Sequence, residues 1–239
     1  MFAAVLTLAL ACQSAFAAPS PAAKTCSLAN AKLALPAGQT GLLAPIAAVP
    51  SFVSFAIGVQ NYTCSSAGKY TATGAVAEVY DASCLVDTPL FNNVQDIAYG
   101  IWKAAPAPIT AQDVIAAGAK LGQTFLGRGI ASMILGQHYF VTNPTTGTGV
   151  VPKWDFTSSG KTAGNKDAFV IGAKTGGIPS PKGATHVDWL SLSGSSGKAA
   201  AQVFRTDTVS GQPPASCTPG TPDISVKYAC KYWFYGSSL

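Results

Sequence analysis

From residue 53 to residue 60 large apolar residues alternate with small or polar ones. Val53, Phe55, Ile57 and Val59 fall on one side, and Ser54, Ala56, Gly58 and Gln60 on the other. Successive side chains of a strand point to opposite faces, so this period of two predicts a β-strand with one face buried. A second strand is expected over 69–80, after the small-residue turn Ser65-Ser66-Ala67-Gly68. Strand signals resume over 130–141, 168–173, 186–192, 202–208 and 225–235. In the last of these Val226, Tyr228, Cys230, Tyr232 and Phe234 face one way, and Lys227, Lys231, Trp233 and Tyr235 the other. Turn-rich spacers separate the runs: Asn143-Pro144-Thr145-Thr146-Gly147, Thr175-Gly176-Gly177 and Ser193-Gly194-Ser195-Ser196-Gly197. One segment reads as a helix. Thr110-Ala111-Gln112-Asp113 resembles a capping box with Asp in place of Glu, and Val114, Ile115, Gly118 and Leu121 then share a face. The pattern predicts a mainly β, single-domain antiparallel sandwich or barrel with one or two short helices.

The amino terminus changes how this domain is read. Residues 1–17 carry no charge, 5–11 are an apolar run, and Ala15-Phe16-Ala17 is a small-x-small cleavage signal. That is the layout of a secretory signal peptide, although no basic residue opens it. A flexible leader is expected over 18–27 and the β-rich domain over 28–239. The apolar run is too short to span a bilayer, and no later stretch reaches the roughly 18 residues a span needs. Secretion to an extracellular location follows.

Charged residues make up only 10% of the chain, and its net charge of +5 comes from scattered cations. No basic run forms a nucleic-acid footprint. An oxidising compartment fixes the reading of the cysteines. With Cys12 in the signal, the mature chain keeps Cys26, Cys64, Cys84, Cys217 and Cys230, and no CxxC pair. Two disulfides and one free thiol are expected. Spacing does not give the connectivity. Cys230 is the candidate free thiol, because it sits inside an apolar strand. Asn61-Tyr62-Thr63 is an N-glycosylation sequon at the end of the first strand, and its parity matches the buried face.

Catalytic side chains are scarce: one Glu (Glu78) and two His (His138, His186). Gly127-Arg128-Gly129-Ile130-Ala131-Ser132 is a degraded dinucleotide fingerprint without a βαβ unit, so nicotinamide chemistry is rejected and no cofactor is implied. His186 and Asp188 are two apart on an expected strand and would share a face, with His138 as a third contributor; the pattern gives a metal site no firm support. Glycoside hydrolysis needs two facing carboxyl groups, for which Asp155, Asp188 and Glu78 are candidates. No Gly-x-Ser-x-Gly elbow is present. The aromatic residues Trp154, Trp189 and Tyr139 are candidate platforms for a carbohydrate.

Several of these segments occur in a characteristic order: Gly58-Val59-Gln60-Asn61-Tyr62-Thr63-Cys64, Tyr80-Asp81-Ala82-Ser83-Cys84-Leu85, Gly136-Gln137-His138-Tyr139-Phe140, Val187-Asp188-Trp189-Leu190-Ser191-Leu192, Val203-Phe204-Arg205-Thr206-Asp207-Thr208 and Tyr232-Trp233-Phe234-Tyr235. The set resembles the secreted fungal family called domain of unknown function 3455, over nearly the whole mature chain. The resemblance implies a fungal, secreted, β-rich single domain and brings no catalytic residues. Members often carry a malate dehydrogenase label, which these residues do not support. Cys230 departs from the family pattern. The sequence reading is therefore a secreted, non-catalytic β domain that binds an extracellular polysaccharide at the cell wall or matrix. Its alternative is a small secreted hydrolase using His138, His186 and Asp188, or an Asp155/Asp188 pair.

Overall fold

The computed structural model describes residues 26–114 and 133–239. Alternation continues past the expected bounds of most strands, and eight of them form: β1 (Phe52–Cys64), β2 (Tyr70–Asp81), β3 (Ile134–Thr142), β4 (Val150–Asp155), β5 (Phe169–Ile178), β6 (Trp189–Ser196), β7 (Gln202–Ser210) and β8 (Ile224–Tyr235). Each pairs antiparallel with the next, and β1 pairs with β8, which closes a barrel. Closure leaves no edge strand among them. Between β2 and β3 in the chain, the helix α1 (Val94–Ala104) packs on the outer faces of β8, β1 and β7.

This placement explains why β1 departs from the one-buried-face expectation. Its inward residues include Ala56, which joins Trp154, Tyr228, Tyr232 and Phe234 in the barrel interior. Its outward residues Val53, Phe55 and Ile57 join a second core with Phe91, Val94, Trp102 and Trp233 beneath α1. Both faces are covered, so β1 is buried almost throughout.

Aromatic rings fill the interior. His138 stacks on Trp154 at 4.6 Å, Trp154 meets Tyr232 edge-on at 5.2 Å, and Phe52 stacks on Phe234 at 4.3 Å. Such pairs add about 0.5–1.5 kcal/mol each beyond the area they bury. Gly172 makes room for the indole, since a Cβ there would lie 3.0 Å from Trp154 Cζ3. Residues 26–50 run along the outside without regular structure and are fastened to it. The backbone amide of Ile46 donates to Gln202 Oε1 (2.9 Å), and Gln202 Nε2 donates to the Ala44 carbonyl (3.1 Å).

Several expectations need correction. The sequence pattern missed β4, which tolerates Pro152 because its ladder with β5 begins only at Lys153. It also missed α1. The expected spacer Thr175-Gly176-Gly177 lies inside β5, and most of 193–197 lies in β6, with bulges absorbing the irregularity. His186 does not share a strand with Asp188. β6 starts at Trp189, and His186 makes an isolated bridge to Gly211. The signal segment, most of the leader, and Ile115 to Leu121 of the expected helix lie outside the described residues. Cys26 is already anchored by its disulfide to Cys84, two residues ahead of the expected boundary at 28.

Candidate functional site

Ala77 and Val79 of β2 point into the barrel, so Glu78 between them points out. It stands opposite Gln137 of β3, and Gln137 stands opposite Asp155 of β4. The three form a row across the outer wall. Where Glu78 and Gln137 meet α1 there is a cleft of about 310 Å³, lined also by Trp102, Val76, Thr110 and Gln112.

Two local features build its walls. Trp102, in the last turn of α1, is held against the barrel: its Nε1 donates to the Gly58 carbonyl at 2.8 Å. The Lys227 ammonium sits 4.4 Å from the ring centroid and donates to the carbonyls of Trp102 (2.9 Å) and Ala105 (2.5 Å). A cation on the free carbonyls of a helix C-terminus is favourable electrostatically. The opposite wall is the capping box expected from the sequence. Thr110 donates from its backbone amide and from Oγ1 to Asp113 Oδ2 (2.9 and 2.7 Å), and the Asp113 amide donates back to Thr110 Oγ1 (3.2 Å). That turn presents Gln112 to the cleft.

The floor is the chain's single glutamate, only 4% exposed. Burial pushes the Glu78 carboxyl above its ordinary pKa, and the amides of Gln112 and Gln137 work against that shift. Gln137 Nε2 reaches Glu78 Oε2 at 3.4 Å, a long hydrogen bond that leaves acceptor capacity over. Asp155, two strands away, is in the opposite state. Burial would raise its pKa, but Lys153, Tyr139 and Thr157 outweigh it and hold the carboxyl well below the usual range. Lys153 Nζ and the Tyr139 hydroxyl each lie 2.7 Å from Oδ2, and Thr157 donates twice to Oδ1. A carboxylate so stabilised as an anion is a weak proton acceptor. Asp155 therefore braces the wall and is poorly suited to act as a general base.

The candidate catalytic residues from the sequence do not converge. His138 is enclosed in the barrel, and burial lowers its pKa to about 3. Its Nδ1 lies 3.0 Å from the Lys153 carbonyl, so that nitrogen carries the proton and donates. Asp155 points to the opposite side of the same sheet, because its cross-strand partner is Gln137 and not His138. His186 is tied to the barrel rim, with Nδ1 accepting from the Ser210 amide at 2.8 Å. Asp188 meets Arg205 through its backbone carbonyl. The His138/His186/Asp188 and Asp155/Asp188 groupings are thus dispersed.

The aromatic platforms are corrected in the same way. Trp154 is 1% exposed and faces inward, and Trp189 is also buried, so neither offers a ring face to a polysaccharide. Tyr139 is half-buried beside Asp155 and Lys153 on the outer wall. The disulfides are Cys26–Cys84 and Cys64–Cys217, and Cys230 is a buried free cysteine. Asn61 is half-buried at a register shift in β1, where its Oδ1 accepts from Ser225 Oγ at 2.8 Å.

Sequence reasoning weighed Glu78 only as one half of a carboxyl pair, counted Trp102 only as one of several aromatic platforms, and overlooked Gln137 and Gln112. The signal for Glu78 was available: a lone acid between Ala77 and Val79 in an alternating strand must face away from the interior. Nothing in the sequence pattern put Trp102 beside it, because the contact that seats Trp102 runs to Gly58, 44 positions away.

No curated protein and no solved structure matches the chain. A family model described as protein of unknown function (DUF3455) matches residues 45–236. That span runs from just ahead of β1 to just past β8, so the chain belongs to this family.

Proposed function

We propose that this is an extracellular, non-catalytic binding domain whose outer-wall cleft takes a hydroxyl-rich ligand of the carbohydrate class, at the cell wall or matrix. One observation carries the reading: three side chains with planar polar ends, Glu78, Gln137 and Gln112, line a single cleft beside the wall formed by Trp102. A carboxyl and two carboxamides supply acceptors and donors together, which vicinal hydroxyls can use in pairs. The two disulfides, and the absence among the described residues of any helix long and apolar enough to cross a membrane, are compatible with an extracellular protein.

The test is retention of the purified domain on chitin, β-glucans and plant polysaccharides, followed by titration with soluble oligosaccharides of the retaining polymer. Retention that falls about ten-fold or more in Gln137→Ala and Gln112→Ala, with the fold unchanged by circular dichroism, is the expected result. No retention on any polymer by a folded wild-type protein would end the proposal.

A further inference from the structure

The floor of the outer cleft is an acid with nothing of opposite charge beside it. Glu78 is the lone carboxyl group among the residues that line the cleft, and none of those residues is a lysine, an arginine or a histidine. The charges nearby are committed elsewhere. Lys227 lies over the Trp102 ring and donates to the carbonyls of Trp102 and Ala105. Lys153 is paired with Asp155, two strands away from Glu78. Asp113 of the capping turn is a second negative group, and Thr110 holds it. Among the described residues, no cation forms an ion pair with Glu78.

Two amides hold the carboxyl instead: Gln137 Nε2 at 3.4 Å, and the side chain of Gln112. Neither brings a charge, so burial outweighs them and lifts the carboxyl above its ordinary pKa. An ionised carboxyl can accept about four hydrogen bonds, and these two leave capacity over. Each glutamine that donates to it also carries an acceptor oxygen into the same cleft. The lining is therefore rich in acceptors around one buried acid.

We propose that the hydroxyl-rich ligand of this cleft is an amino sugar, whose primary ammonium is received by the Glu78 carboxylate; this rests on the carbohydrate reading above. An ammonium has three donors and no acceptor, which suits a carboxylate flanked by carboxamide oxygens. An opposite charge at hydrogen-bond distance favours the ionised acid, and the bond between them is stronger than one between neutral groups. A hydroxyl or an acetamido group in the same place leaves the buried carboxylate uncompensated. The cleft volume of about 310 Å³ is at the lower end of the range for ligand sites, about 300–1,000 Å³, so it suits a short stretch of a sugar chain.

The experiment titrates short glucosamine oligomers into the full domain at about pH 6 and low ionic strength, beside the same oligomers N-acetylated. The two series share their rings and linkages and differ in the amine charge. The expected result is that the amine series binds about ten-fold or more tightly, and that added salt erodes the difference. The preference disappears in Glu78→Gln, with circular dichroism unchanged. Trilysine, which carries ammonium groups without a sugar, binds about ten-fold or more weakly than the glucosamine trimer. Equal binding of the two series by the wild-type protein, or a preference that survives in Glu78→Gln, would overturn the inference and leave the carbohydrate reading standing. Trilysine binding as tightly as the trimer would overturn the amino-sugar assignment. If neither series binds a folded protein that another polysaccharide retains, the amino sugar alone fails; without retention on any polymer, both readings fail. If Glu78→Gln does not fold, the wild-type comparison and its salt dependence decide the question.

Discussion

The two sides of the barrel wall solve opposite problems with neighbouring residues. On β3 and β4, His138 and Trp154 go in, while Gln137 and Asp155 go out. Inside, His138 and Cys230 are kept neutral by burial: the imidazole falls to about 3 and the thiol is pushed up to about 12. Outside, charge is kept and matched, as in the Lys153–Asp155 pair at 2.7 Å. Glu78 is the exception on the outer side, because it is buried like an interior residue yet paired only with amides. The difference teaches that in this wall the face decides packing, while the partner decides ionisation.

The comparison breaks most visibly at its aromatic centre. Trp154→Ala empties the middle of the interior and is expected to cost about 3–5 kcal/mol, read as a lower denaturant midpoint. The equivalent change on the outer side, Tyr139→Phe, removes one hydrogen bond to Asp155 and should cost about 1 kcal/mol. Equal losses would show that the interior is not the dominant core.

Proton linkage sharpens it next. His138 binds its proton in the unfolded chain near its ordinary value of 6.5, but in the folded protein only near 3. Its contribution to stability is complete above about pH 6.5 and is lost as pH falls towards 3, at about 1.4 kcal/mol per pH unit. A fall of about 2 kcal/mol between pH 6.5 and 4.5 is expected, and His138→Gln should remove that slope. Asp155 adds its own loss only below its ordinary value of 3.8, so the two windows separate. Glu78 has the opposite sign. Its folded pKa is raised, so the folded state binds more protons and stability declines as pH rises above 4.5. Glu78→Gln is expected to raise the thermal midpoint by a few degrees at pH 7 and to have no effect near pH 4. A midpoint that drops at pH 7 would mean that the carboxylate is stabilised where it stands.

The smallest effect concerns Cys230. Burial and a raised pKa make the thiol inert. Mass-spectrometric mapping after treatment with a disulfide reagent should find Cys230 unmodified in the native protein and modified after unfolding. Modification of the native protein at a rate near that of a free thiol would show that the interior opens.

The strands were legible where neither face carries a disturbance. The alternation of β8 separated Tyr228, Tyr232 and Phe234 from Lys231 and Trp233, and the structure puts the first set inside and the second towards α1. β4 was not legible because Pro152 interrupts the reading of a run whose neighbours nevertheless alternate. α1 went unread although Val94, Ile97, Ala98, Ile101 and Trp102 recur at helical spacing, because strand signals on both sides dominated the window. The site was less legible than the fold. An aspartate beside a tryptophan suggests a sugar site, but adjacent residues of a strand face opposite ways, so Trp154 and Asp155 never share a surface. The cleft joins a strand pair, a helix end and a capping turn. Such joins depend on tertiary distance, which local pattern does not encode.

The pairing of β8 with β1 has a consequence for biosynthesis. The last strand supplies Tyr228, Tyr232 and Phe234 to the interior and pairs with the first to close the barrel. Until Tyr235 has left the ribosome, β1 has one hydrogen-bonding edge unpaired and no interior to bury its inward face. Long-range pairings of this kind form slowly, because distant parts of the chain must meet before they are rewarded. Folding is therefore expected to wait for the whole chain instead of proceeding segment by segment, and a premature stop anywhere before β8 yields no smaller working domain. The interval before closure is when an exposed apolar β1 is most open to aggregation or to a chaperone.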